Sequence, residues 1–352
     1  MILSACVAIG SEAPYRPSAL TRLFVAIEVL PFGGWWLYPV LYLALGAYQQ
    51  VAVWLTGSGP VGTLTLEPVA ALAFGPVLLA ATHYLAGAAA RAMDIFRPAS
   101  GMSEGDFTAR RYELVTVPAG EVWLPAAIGA LVGIGSILTA SPEGLAPYGS
   151  TVRTALIVLG PVAVFGYGMA AVFLYQSLRQ LRGIARLLGE ASTISLFDTT
   201  PLYAFSRLTA GVGLTVILGV YYAFAANNAY QFGNTLALFA LISAMVLGVL
   251  CFLVPLLGIH GRLDDEKDEL VRGVNRRFEA ARAELYGRVD GSNLAGAKEV
   301  ADALDGLETI RGRIERLPTW PWPPALLRGF ITAIVLPIVV YVLTLIAADV
   351  VG

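Results

Sequence analysis

The chain of 352 residues has little charge, two cysteines and two histidines. Charged side chains make up 14% of it and hydrophobic ones 57%, a composition too apolar for a soluble globular protein. Neither His83 nor His260 belongs to an HExxH pattern and the cysteines form no pair, so ligands for a transition metal are scarce. A glycine loop of the P-loop type is also missing. We therefore predict no enzymatic activity, no catalytic residue, no metal site and no cofactor.

Long apolar runs are what the sequence has in abundance. Each has about the 20 residues that cross roughly 30 Å of hydrocarbon as a helix. No lysine lies within a run to hold a retinal Schiff base, and no acid lies at a centre, which argues against a rhodopsin-like protein or a proton-coupled pump. The sequence predicts an all-α polytopic membrane protein with seven transmembrane helices, at 34–55, 68–90, 122–138, 154–175, 208–225, 236–260 and 326–348.

Basic residues are distributed very unevenly between the connections of these helices. With the seven spans above, 22 of the 23 lysines and arginines fall on one side, and only Arg153 falls on the other. Basic connections stay in the cytoplasm. We therefore expect an integral protein of a prokaryotic plasma (inner) membrane, with the N-terminus in the cytoplasm and the C-terminus outside.

The chain divides into four parts. Residues 1–31 form an N-terminal cytoplasmic or interfacial arm, because Glu28 would be costly at the bilayer centre. Residues 32–258 form a six-helix membrane domain. Residues 259–317 hold 24 of the 48 charged side chains and form a cytoplasmic helical hairpin between spans six and seven. Residues 318–352 hold a proline-tryptophan break and the last transmembrane helix, since four prolines within 318–324 cannot continue a helix.

The apolar residues of the hairpin follow a helical spacing. Leu263, Leu270 and Val274 begin a series that predicts continuation of the sixth span into the cytoplasm as one helix. A turn signal at Asp290 and Gly291 separates it from a second helix. Because both apolar seams would need partners, we expect a homo-oligomer or a cytoplasmic or membrane protein partner, besides the lipid bilayer. Nothing in the chain predicts nucleic-acid binding.

One face of the last span is small and mildly polar. Pro337, Tyr341 and Thr344 share it at spacings of four and three, Thr332 lies before them, and Asp349 follows at the outer end. Such a face could line a water-filled path for ions, or it could simply pack on other helices. These five residues are the predicted pore-lining candidates.

Acidic residues predominate on the outer side. Glu67 and Glu143 lie there with Asp349, against the single Arg153, and this balance would mildly favour cations at an outer mouth.

His83 is the polar candidate within the membrane, near the middle of the second span. The functional interpretation is a contact for a proton or an ion. The structural interpretation is a neutral ring that is hydrogen-bonded to a neighbouring helix.

This layout resembles the seven-transmembrane ion channels typified by insect odorant and gustatory receptors. The similarity is one of architecture, carried by the helical extension 176–191, the hairpin 259–317 and the span 326–348. It implies a tetramer joined by cytoplasmic helices, with a pore lined by the membrane half of the last helix.

Two functions follow from these observations. The first is an oligomeric ion channel that is assembled through cytoplasmic helices and has a preference for cations. The alternative is a non-conducting scaffold or sensor subunit whose hairpin docks a cytoplasmic partner or a larger membrane complex. A facilitative carrier is less well supported, because neither half of the chain repeats the other.

Overall fold

The computed structural model describes residues 13–64, 74–140, 145, 148, 149, 151–190, 196, 200–226, 235–291, 296–335 and 339. The regular secondary structure of these residues is helical, and their only strand-like feature is an isolated bridge between Pro17 and Pro118. The predicted all-α class is therefore confirmed.

Among the described residues, three helices are long and apolar enough to cross a membrane, at Val152–Gly189, Thr200–Gly219 and Met245–Asp290. Two shorter apolar helices accompany them, at Trp123–Leu138 and Pro324–Val335. The chain is therefore an integral membrane protein.

The described part of the chain contains ten α-helices. Ser18 and Ser103 cap two of them, because each hydroxyl oxygen accepts a hydrogen bond from a backbone N–H three residues later. A 3₁₀ turn at Pro31–Gly34 joins the first helix to the second. The helices are α1 (Ala19–Val29), α2 (Leu37–Leu55), α3 (Phe74–Ser100), α4 (Glu104–Val115), α5 (Trp123–Leu138), α6 (Val152–Glu190), α7 (Thr200–Ala226), α8 (Thr235–Asp290), α9 (Ala297–Glu315) and α10 (Pro324–Val335).

Helices α3, α6, α7 and α8 form the centre of the membrane domain. Phe96 of α3 meets Phe205 of α7 edge to face, with ring centroids 5.3 Å apart, and both side chains are fully buried. Helix α5 packs along α6, and α2 packs against α3 and α6. Apolar side chains such as Leu43 and Leu131 are exposed on the outside, as expected for a surface that faces lipid.

Glycines allow two of the helix pairs to approach closely. A Cβ at Gly133 of α5 would lie 2.7 Å from the carbonyl oxygen of Ala163 in α6. A Cβ at Gly213 of α7 would lie 2.5 Å from the carbonyl oxygen of Gly248 in α8. Both distances are too short for any residue with a side chain, so these pairs depend on small residues at the interface.

Helix α8 is 56 residues long and leaves the membrane domain without interruption. At about 1.5 Å per residue it extends over roughly 84 Å. Helix α9 folds back along its outer half, and Val274, Phe278 and Leu307 line one cleft between the two helices. The apolar seams that we expected to need partners therefore pack on each other. The periodicity alone could not distinguish a partner within the chain from one in another chain.

The N-terminal arm is attached to the end of the membrane domain from which α8 emerges. The Tyr15 hydroxyl donates to the backbone carbonyl of Thr116 at 3.2 Å, and Arg179 of α6 donates to the Tyr15 hydroxyl at 2.9 Å. Burial raises the pKa of the Tyr15 phenol, so this hydroxyl keeps the proton that it donates. Nearby, Arg262 of α8 donates to the carbonyl oxygen of Leu188 at 2.7 Å, which ties α8 to the last turn of α6.

Candidate functional site

Most of the predicted pore-lining and outer-mouth residues lie outside the described residues: Pro337, Tyr341, Thr344, Asp349, Glu67 and Glu143. Thr332 is described. It is exposed on α10, and its hydroxyl donates to the carbonyl oxygen of Arg328 at 2.9 Å within the same helix. Of the five pore-lining candidates, Thr332 is the one that falls within the described residues.

His83 lies in a closed aromatic site between α1, α2 and α3. Its ring is 3% exposed. Phe24 stacks on one face, with centroids 4.8 Å apart and planes inclined by 7°. Trp35 stacks on the other face at 5.0 Å and 11°. An imidazole held between two parallel aromatic rings cannot tilt, so its two nitrogens point in fixed directions.

Polar groups face both nitrogens of His83. The Tyr38 hydroxyl lies 2.6 Å from Nδ1, and a carboxylate oxygen of Glu28 lies 3.9 Å from Nε2. The negative charge of Glu28 favours a proton on Nε2, and Nδ1 then accepts the hydrogen bond from Tyr38. Tyr38 on the neighbouring helix α2 is therefore a hydrogen-bond partner of the kind that the structural interpretation expects. The carboxylate of Glu28 near the other nitrogen is an additional feature, which the sequence did not indicate.

A tight turn between α1 and α2 brings Trp35 over His83. Gly34 has φ +67°, and a Cβ there would overlap the backbone carbonyl of Ile27. Phe32 is also in the left-handed region, at φ 59°. Left-handed backbone is costly for residues other than glycine, so this turn is strained and closely packed. The sequence indicated a cytoplasmic or interfacial arm here, but it did not indicate that the arm contacts His83.

A second aromatic cluster lies where the proline-tryptophan break meets α8. Trp320 stacks on His260 with centroids 3.8 Å apart, and its other ring neighbour is Trp322 at 4.9 Å. Trp322 is buried and contacts Phe252, which in turn stacks on Phe330 of α10 at 4.3 Å. We call these five residues the aromatic junction. It links α8 directly to α10.

Hydrogen bonds reinforce the aromatic junction. Nδ1 of His260 lies 3.1 Å from the carbonyl oxygen of Thr319. The Ser206 hydroxyl of α7 donates to the carbonyl oxygen of Pro321. The Nζ of Lys267 donates to the carbonyl oxygens of Glu315 and Leu317, at 2.7 and 2.9 Å, and so caps the end of α9.

One polar group of the aromatic junction is unsatisfied. The indole N–H of Trp322 is buried and has no hydrogen-bond partner among the described residues. A buried unpaired donor costs about 1–3 kcal/mol. The sequence indicated a proline-tryptophan break here, but it carried no signal for the contacts of Trp320 and Trp322 with α8.

The contacts at these sites are aromatic stacking, hydrogen bonds and one charged group near an imidazole. Throughout the described ranges, no group of three or more His, Cys, Asp or Glu residues is arranged to hold a metal ion. Neither a protein-family model, nor a curated protein, nor a solved structure matches the chain.

Proposed function

We propose that this protein is an oligomeric membrane ion channel in which the cytoplasmic hairpin acts on a pore lined by the last transmembrane helix. The observation that carries the proposal is the aromatic junction. It joins α8, whose outer half is one arm of the hairpin, to α10 by stacked rings rather than by a loose linker. A rigid connection of this kind can transmit movement of the hairpin to the last span.

The aromatic junction also has the properties of an element that can rearrange. The prolines within 318–324 prevent a continuous helix between α9 and α10. Its buried Trp322 indole leaves a donor unpaired, which a second arrangement could satisfy. The proposed gating movement is a change in the stacking of Trp320 and Trp322 on α8, accompanied by a tilt of α10.

The proposal includes seven spans, a cytoplasmic N-terminus and an outer C-terminus. Contacts between segments that the positive-inside rule assigns to one side support it: Tyr15 with Thr116 and Arg179, and Arg262 with Leu188. A cation preference would come from Glu67, Glu143 and Asp349 at the outer mouth.

An oligomer would use the outer faces of the hairpin, since its seams pack internally. Tyr286 and Val289 near the end of α8 are 60% and 50% exposed, and Ile310 of α9 is 47% exposed. Apolar side chains of this size on a charged, water-facing segment favour association. The resemblance to the insect receptor channels is what favours a tetramer.

The test is conduction by purified protein in planar lipid bilayers. We expect unitary currents whose amplitude changes in Tyr341→Ala and whose open probability changes in Trp320→Ala. Trp123→Ala is the matched control, because Trp123 is 70% exposed at the start of α5 and lies outside the aromatic junction. Bilayers that stay silent with folded protein, or a strictly monomeric particle in lipid nanodiscs, would overturn the channel.

The second candidate function is a non-conducting scaffold or sensor subunit. The same exposed residues, Tyr286, Val289 and Ile310, favour it, since they could contact another protein instead of a second copy. This function predicts liposomes that stay tight to ions and a defined partner that is retained by the intact chain. The partner should be lost in Tyr286→Ser with Ile310→Ser, and monomeric particles would be compatible with it.

A further inference from the structure

A cavity of about 290 Å³ opens between α4 and α6, near the end of the membrane domain from which α8 emerges. It is independent of the aromatic junction and of the site around His83. Its walls carry six charged side chains, four of them basic: Arg110, Glu113, Glu121, Arg179, Arg182 and Arg186. The net charge of these side chains is 4 − 2 = +2, so the cavity attracts anions.

The two carboxylates of the cavity are already engaged. Glu113 lies 3.4 Å from Arg110, and Glu121 lies 3.8 Å from Arg179 and accepts a hydrogen bond from the Tyr175 hydroxyl. Much of the negative charge is therefore neutralised inside the cavity wall. The charged side chains of the cavity that remain available to a ligand are basic.

Arg182 and Arg186 supply that remaining charge. They are exposed, lie four residues apart on one face of α6, and form no ion pair with any side chain that the structure describes. Two guanidinium groups on one wall can each donate paired N–H groups to the oxygens of a single phosphate.

Apolar side chains also line the cavity. Leu114 of α4 and Leu187 of α6 are buried, while Leu178 is 43% exposed. A lining that combines arginines with leucines matches a phosphate group that is attached to an apolar body, as well as a free phosphate.

We propose that this cavity binds a phosphate group, with Arg182 and Arg186 as its principal ligands. Two sources share the chemistry: the headgroup of an anionic phospholipid and a soluble phosphate compound. The bound phosphate would lie beside the N-terminal arm, because Arg179 in the same wall donates hydrogen bonds to the Tyr15 hydroxyl and to the carbonyl oxygen of Thr116.

The test measures binding to the detergent-purified full chain by isothermal titration calorimetry. The probes are short-chain phosphatidic acid, inorganic phosphate, and short-chain phosphatidylcholine as the zwitterionic control. Loss of each charge-assisted contact should weaken binding about tenfold or more, so Arg182→Gln with Arg186→Gln should abolish measurable binding. Arg182→Lys with Arg186→Lys, which retains the charge but not the paired geometry, should bind with intermediate affinity.

The matched control is Arg276→Gln with Arg277→Gln, which removes the same charge from exposed positions on α8. Binding of phosphatidic acid alone would identify a lipid site, and binding of inorganic phosphate as well would identify a site for soluble phosphate compounds. Failure of both to bind the unmodified protein, or an equal loss in the Arg276 and Arg277 control, would overturn the proposal. Unchanged circular dichroism of each variant establishes that it is folded.

Discussion

The two histidines of the chain are both stacked on tryptophan, yet their surroundings differ. His83 is buried between Phe24 and Trp35 and has a carboxylate facing its second nitrogen. His260 is partly exposed, stacks on Trp320 on one side, and has a backbone carbonyl as its polar partner. The first arrangement holds the helix of the N-terminal arm against two helices of the membrane domain. The second holds the proline-tryptophan break against α8. Rearrangement of this contact should cost less free energy, because His260 is partly exposed and Trp320 is 50% exposed.

His83→Ala should lower the free energy of unfolding more than any other substitution below, and it tests the difference between the two histidine sites. It removes a buried ring from between two others and leaves the Tyr38 hydroxyl without its partner, so the free energy of unfolding should fall by about 3 kcal/mol. Reversible unfolding in mixed detergent measures this change in free energy. His260→Ala serves as the counterpart, with an expected loss of about 1 kcal/mol. Equal losses in the two variants would show that burial does not distinguish the sites.

Gly34→Ala should have the next largest effect, because it forces a Cβ into the turn that covers His83. Left-handed backbone alone costs about 1–2 kcal/mol for a residue with a side chain, and overlap with Ile27 adds to it. Gly57→Ala isolates the first contribution, since Gly57 has φ +69° but no described atom would lie within 4 Å of a Cβ there. Thermal unfolding of the two variants compares them. If Gly34→Ala costs no more than Gly57→Ala, the turn is not closely packed.

Trp320→Ala should act locally at the aromatic junction. Loss of the stack on His260 should cost about 1 kcal/mol and should increase amide hydrogen exchange in residues 311–317 at least severalfold, while exchange around His83 stays unchanged. Trp123→Ala, at an exposed position on α5, should leave both regions unchanged. Spread of the increased exchange to α3 would contradict the separation of the two sites.

Lys267→Met should have the smallest effect. It removes the cap on the last carbonyls of α9 and should cost about 0.3–1 kcal/mol, with faster exchange confined to the last turn of that helix. The other lysine is the natural control: Lys298 is exposed in the first turn of α9, where a positive charge opposes the helix dipole. Lys298→Met should therefore be neutral or slightly stabilising.

The sequence predicted the local helical structure, but it did not predict the contacts between residues that are distant in the chain. The spacing of Leu263, Leu270 and Val274 was sufficient to predict one long helix, because helical periodicity is a local property. The partner of that seam depends on the direction in which the chain returns, which the spacing does not contain. Pairing of His260 with Trp320, 60 positions later, likewise depends on the return of α9.

The site around His83 illustrates the same limit. The sequence singled out His83 because an imidazole in an apolar run is unusual. Glu28 and Trp35 lie about 50 positions before it, in regions predicted to be an arm and the start of a span, and only the turn at Gly34 brings them to one ring.

By itself, the sequence determined the helical class and the membrane environment of this protein, since hydropathy and helical period are summed over neighbouring residues and need no knowledge of the fold. The tertiary structure decided which side chains meet: two aromatic rings around His83, the proline-tryptophan break on α8, and the arginines of α6 around one cavity. The physical reason is that each of these contacts depends on the positions of several helices at once. Those positions are set by packing across the whole domain rather than by the secondary-structure preferences of neighbouring residues.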